Sequence, residues 1–177
     1  MRKIVLLLLL TWASISCFSQ CNTRLLTSQG NSKAFAAALE NLYSYVGSND
    51  NGDYSQGVYM VNGHLAVFTT VQGGSLFAEW QLVITVKATY FFPLVPRQVI
   101  ITFENGRTLQ LTATDFKQNQ GHQICYFDIP NNQLNLFDGG ITKILVNDTR
   151  ETRQISKALS YKYVLSEQKK CLLKEIN

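Results

Sequence analysis

The sequence predicts an α+β domain: a mainly antiparallel β-sheet of six to seven hairpin-connected strands, with an N-terminal helix and a C-terminal helix. Three observations lead there. From about residue 58 onward apolar and polar residues alternate with a period of two, the signature of half-buried strands. The alternating stretches are separated by the turn pairs Asn62-Gly63, Gly73-Gly74 and Asn105-Gly106, and strands joined by two-residue turns must run antiparallel. The 177 residues are 46% hydrophobic and 16% charged, enough apolar surface to pack one core, which excludes a disordered chain. A single long apolar run excludes a multi-span membrane protein.

That run comes first. Arg2 and Lys3 precede the apolar stretch Ile4–Leu10, and the small residues Ser14, Ser16, Cys17 and Ser19 follow. This is the order of a secretory signal peptide, which assigns residues 1–19 to a leader and 20–177 to a single mature domain. A second reading makes Cys17 a lipid attachment site, since Ser14-Ile15-Ser16-Cys17 matches a bacterial lipobox at its last three positions. Loss of Arg2 and Lys3 lowers the net charge of +4 to +2. The remaining basic excess lies between Lys143 and Asn177 and reads as a solvated helix face. A charge this low gives no grounds for nucleic-acid binding.

Residues 32–46 carry Phe35, Leu39, Leu42, Tyr43 and Val46 at helical spacing between Ser32, a cap, and Gly47, a stop; they predict the N-terminal helix. The segment Gly47–Gly57 is turn chemistry. Val58–Val61 and His64–Thr70 predict a hairpin around Asn62-Gly63. A long strand from Leu76 to about Phe92 follows, with Trp80, Leu82, Ile84 and Val86 on one face. Arg97–Phe103 and Thr108–Thr114 form a second hairpin, His122–Ile129 a strand closed by Pro130, Asn131–Phe137 a loop or helical turn, and Ile141–Val146 a further strand. Residues 154–174 fit a helix through Ile155, Leu159, Leu165 and Leu172, while Tyr161, Tyr163 and Leu165 also alternate as in a strand.

An exported chain meets an oxidising compartment, and Cys21, Cys125 and Cys171 remain after the leader. Cys21 with Cys171 is the expected bridge, tying down both ends of the mature chain; Cys125, in an apolar strand, is expected as a buried free thiol. Chemistry-bearing patterns are sparse. His64 reads as an exposed residue at a strand start. His122 and Cys125 are three apart on one strand and so face opposite ways, which argues against a Cys–His nucleophile. Asn49–Asp53 offers oxygen ligands around Gly52 but lacks the closing glutamate of a calcium loop. No catalytic, cofactor or metal residues are assigned. Outward aromatics of the sheet, Tyr90, Phe92 and Tyr126, are the candidate binding face, through stacking on sugars or on a protein's apolar patch.

The stretch Trp80–Leu173, with Ile101-Thr-Phe-Glu-Asn-Gly-Arg-Thr-Leu109, Tyr126-Phe-Asp-Ile129 and Ile141-Thr-Lys-Ile-Leu-Val146, resembles small, uncharacterised exported proteins of Gram-negative bacteria. The resemblance implies a β-rich periplasmic, outer-envelope or extracellular domain and brings no activity. The functional expectation is an exported non-enzymatic domain with a binding or envelope-associated role and a protein or glycan partner. The alternative is a small secreted hydrolase drawing paired carboxylates from Glu79, Glu104, Asp115 and Asp128.

Overall fold

The computed structural model describes residues 21–46, 58–88, 97–119, 122–147, 152–155 and 162–177. The residues expected as a signal peptide, Cys17, the segment Asn49–Asp53, Tyr90 and Phe92 lie outside the described residues. The expected antiparallel β-sheet and C-terminal helix are present. Among the described residues eleven strands form two sheets: β1 (Thr23–Gln29), β2 (Ser32–Ala37), β3 (Glu40–Val46), β4 (Val58–Gln72), β5 (Ser75–Ala88), β6 (Gln98–Phe103), β7 (Thr108–Thr112), β8 (Asp115–Asn119), β9 (His122–Ile129), β10 (Ile141–Asn147) and β11 (Thr152–Ile155). A 3-10 helix spans Asn131–Asp138, and one α-helix, α1, spans Val164–Ile176. The larger sheet has the order β1-β2-β4-β5-β9-β8, with β3 following β2 along the same edge of β4; the smaller has the order β11-β10-β6-β7.

Each sheet turns one face to a shared core. On β5, Trp80, Leu82, Ile84 and Val86 point inward as their alternation predicts, joined by Leu65 and Val67 of β4 and Cys125 and Phe127 of β9. The smaller sheet contributes Val99, Ile101 and Phe103 from β6, Leu109 and Leu111 from β7, and Ile144 and Val146 from β10. Phe137 of the 3-10 helix meets Phe103 edge-on, ring centroids 5.4 Å apart. Val164, Leu165 and Leu172 of α1 complete this core. A side chain such as Ile84, fully buried, contributes roughly 1.5–3 kcal/mol relative to exposure.

The N-terminal helix is not formed. Residues 32–46 are two strands, β2 and β3, meeting at a corner at Ala38-Leu39. The helical spacing was the sum of two strand alternations set out of phase by that corner. The alanine-rich segment favours helix intrinsically, but Ala34 and Ala36 are buried on one face and Ala37 on the other. Tertiary packing of small residues outweighs a propensity of a few tenths of a kcal/mol per residue.

Asn62-Gly63 is no turn either. It lies inside β4, which pairs with β5 through fourteen consecutive positions from Tyr59↔Ala88 to Gln72↔Ser75. The turn falls at Gly73-Gly74, whose φ angles of 59° and 79° suit a two-residue hairpin loop. Gly63 is needed for a different reason: a Cβ there would overlap the Leu42 side chain, which drops from β3 onto β4. Asn105-Gly106 does turn, with Gly106 at φ 78° and Asn105 Oδ1 accepting from the Arg107 N–H at 3.0 Å. Strands β1 and β8 have no counterpart in the sequence reading, and the ambiguous C-terminal segment divides into β11 and α1.

The switch of β4's partner from β2 to β3 leaves a gap in the ladder at Leu65, between Ala36↔Ala66 and Glu40↔Gly63. Gln168 of α1 fills it. Its Oε1 accepts from the Leu65 N–H at 2.9 Å, and its Nε2 donates to the Ala38 carbonyl at 3.0 Å. The side-chain amide thus stands in for the missing strand. Cys21 and Cys171 lie at disulfide distance, Sγ–Sγ 2.09 Å, fastening the front of β1 to α1. Thr23 Oγ1 donates to Glu175 Oε1 beside it, at 2.6 Å. The solvated basic face holds only in part: Lys170 and Lys174 are exposed, but Lys169 is buried against the Leu134 carbonyl (3.0 Å) and Asp138 (2.7 Å). Among the described residues no helix is long and apolar enough to cross a membrane.

Candidate functional site

The face of the larger sheet turned away from the core is concave, and its cavity measures about 670 Å³. Strand alternation sets its floor. If Leu65 and Val67 point into the core, then His64, Ala66 and Phe68 of β4 must point out. By the same rule Gln81, Val83 and Thr85 come from β5, and His122, Ile124 and Tyr126 from β9. Register aligns them in rows, with Val83 between His64 and Tyr126, and Gln81 between Ala66 and Asp128. Ala36, Ala66 and Val83 form a small buried cluster on this side, with Ile124 and Tyr126 packed against it.

One wall comes from the N-terminal strands. β1 carries a bulge between Leu25 and Thr27, which sharpens the local twist, and both Arg24 and Leu26 line the groove. The corner Ala37–Leu39, held from behind by Gln168, supplies the adjoining wall. At the far side Lys117 of β8 lies over the Tyr126 ring, 5.4 Å from its centroid, and Gln81 Nε2 donates to Asp128 Oδ1 at 2.7 Å.

The electrostatics of the groove are one-sided. Arg24 lines it and forms no ion pair with any described residue, and no acidic side chain is among the lining residues. His64 is not the exposed strand-start residue expected; it sits mid-strand and half-buried. Burial first, and then the charge of Arg24, lower its pKa to about 4, so the imidazole is neutral at pH 7. Its Nδ1 is buried and has no hydrogen-bond partner among the described residues.

Of the candidate aromatics, Tyr126 reaches the groove. His122 and Cys125 do face opposite ways: His122 lines the groove, whereas Cys125 is fully buried in the core as a free thiol. Burial pushes the Cys125 pKa up to about 11, with Arg97 pulling weakly the other way, so the nucleophilic thiolate is suppressed. The four carboxylates do not converge on the groove. Glu104 accepts from Lys162 at 2.5 Å and from the Gly140 N–H at 3.2 Å, and the Lys162 hydrogen bond holds its pKa below the usual range. Asp115 accepts from the Phe116 N–H at 2.8 Å, Asp128 serves Gln81, and Glu79 is exposed on β5. Among the described residues no group of three or more His, Cys, Asp or Glu could hold a metal ion.

Arg24, His64, Gln81 and Val83 were missed as site residues. The usable signal was Val83 and Ile124, apolar side chains at positions that strand alternation turns away from the core; Arg24 had none, because β1 itself was not read. No protein-family model matches the chain, and neither any curated protein nor any solved structure matches it.

Proposed function

We propose that this chain is an exported, non-catalytic binding domain that takes a small ligand in the groove on the outer face of its larger sheet. The observation that carries the reading is the cavity itself. Its size falls within the range of small-molecule sites, and it combines an apolar floor at Ala66, Val83 and Ile124 with a few polar groups at its rim. The Cys21–Cys171 pair supports the export part, since such bridges persist in oxidising compartments. So does the leader pattern of residues 1–19, and kinship with exported proteins of Gram-negative bacteria belongs to the same proposal. The hydrolase reading has no comparable support, because its four carboxylates are engaged or exposed elsewhere.

A methyl-resolved NMR spectrum tests the assignment of the site. Titration with a panel of fatty acids, saccharides and short peptides is expected to shift the methyls of Ala66, Val83 and Ile124 for at least one class. Shifts confined to the smaller sheet would refute it. Intact mass of the exported protein under non-reducing conditions reads the cleavage site, any lipid on Cys17, and the oxidation state together.

A further inference from the structure

Resting on the groove as the binding site, the geometry points to a ligand class: we infer that the groove takes an anionic amphiphile, a single carboxylate head carrying an apolar chain. The head belongs between Arg24 and His64, and the chain lies across Val83 towards Ile124. Four features of the groove select this chemistry.

First, the charge is of one sign. Arg24 is a cation without an ion partner among the described residues, and no carboxylate is among the lining residues; Asp128, at the far rim, is held by Gln81. A guanidinium at the edge of a low-dielectric surface suits a carboxylate through paired N–H donors. Second, His64 lines the groove as a half-buried, neutral imidazole and brings no charge of its own to the site. Arg24 and His64 are close enough for the guanidinium charge to act on the imidazole, so an anion held by Arg24 would lie beside a neutral ring that neither repels it nor competes for it.

Third, the floor beyond that pair is apolar and continuous. Ala66, Val83 and Ile124 extend it across three strands, with Phe68 and Leu26 along its sides. From β1 to β9 there are four inter-strand steps, roughly 19 Å in all, an extended rather than a round site. Fourth, saccharide stacking is disfavoured at Tyr126, which leaves Phe68 as the groove's exposed phenyl ring. Tyr126 is already packed against Ala36, Ala66 and Val83, and Lys117 lies over its ring. A methylene chain needs no free aromatic face.

Isothermal titration of the disulfide-bonded protein separates the possibilities. The probes are decanoate below its micellar concentration, decan-1-ol and maltotriose, with groove methyl shifts recorded in parallel. Decanoate is expected to bind one-to-one and at least about tenfold more tightly than decan-1-ol, the size of a charge-assisted contact. Arg24→Gln, at an exposed position, is expected to weaken decanoate about tenfold and to leave decan-1-ol within about twofold. Equal decanoate affinity in wild type and Arg24→Gln would overturn the placement of the head. Maltotriose binding with groove shifts, and no decanoate binding, would overturn the ligand class while sparing the groove as the site. Groove methyls unmoved by every probe would overturn the ligand class, and the broader ligand panel then decides whether the groove itself stands.

Discussion

Replacing Gln168 with leucine removes two hydrogen bonds at once while keeping the side chain's approximate volume. The Leu65 N–H and the Ala38 carbonyl, both held by the Gln168 amide, would lose their partner where β4 has neither β2 nor β3 beside it. Leu65 is fully buried and Gln168 only 7% exposed, so water cannot easily replace the amide. Each orphaned buried group costs about 1–3 kcal/mol, and the added apolar burial of leucine returns roughly 1 kcal/mol. The expected net loss is about 1–5 kcal/mol, read as a lower urea midpoint at unchanged m-value. Hydrogen exchange gives a local check: the Leu65 amide should lose protection well beyond the global change. Gln168→Glu is the complementary probe. Its carboxylate keeps an acceptor for Leu65 but opposes the Ala38 carbonyl, so burial and that carbonyl raise its pKa. Its stability should therefore fall as pH rises through the carboxyl's titration and recover in acid, where the protonated form donates. Wild-type stability in Gln168→Leu, with Leu65 still protected, would refute the view that the side chain substitutes for a strand.

Three further outcomes are expected. Cys171→Ser should lower stability by about 4–5 kcal/mol if the chain-entropy model holds for a sequence separation of 150, measured by denaturation against the oxidised parent. His64 has a folded pKa of about 4 against 6.5 when unfolded, so the unfolded state takes up the proton first. Stability from this group is fully present above about pH 6.5 and is lost as pH falls towards 4, by up to about 3 kcal/mol; His64→Gln should flatten that part of the profile, and an unchanged slope would count against the burial of the ring. Gly63→Ala should cost about 1–3 kcal/mol through overlap with Leu42, and Leu42→Ala in the same chain should recover part of it in a double-mutant cycle.

What was legible in the sequence was whatever a short window decides. Asn105-Gly106 makes its turn because the flanking alternation is short and balanced, and Pro130 ends β9 because it cannot extend the ladder. The inward face of β5 follows from period two alone. Residues 32–46 and Asn62-Gly63 resisted the same treatment because distant partners decide them. Gly63 serves Leu42, and the corner at Ala38-Leu39 exists only because Gln168, 130 residues away, closes the gap it opens. The groove was half visible: Tyr126 was picked out by alternation, whereas Arg24 depends on a strand whose residues, Thr23 to Gln29, carry no strong periodicity.

The cross-link between Cys21 and Cys171 also sets an order of events during synthesis. β1 is the first described strand to emerge, yet its fastening residue waits for the eighth position of a helix, at a sequence separation of 150. Arg24, three residues beyond Cys21, is therefore made early and locked late. A nascent chain that stops short of α1 lacks the bridge and the Gln168 amide together, and its sheet keeps an open edge beside Leu65. The wall of the groove that carries Arg24 is thus fastened only once α1 has been delivered, which makes α1 a checkpoint for that face of the sheet.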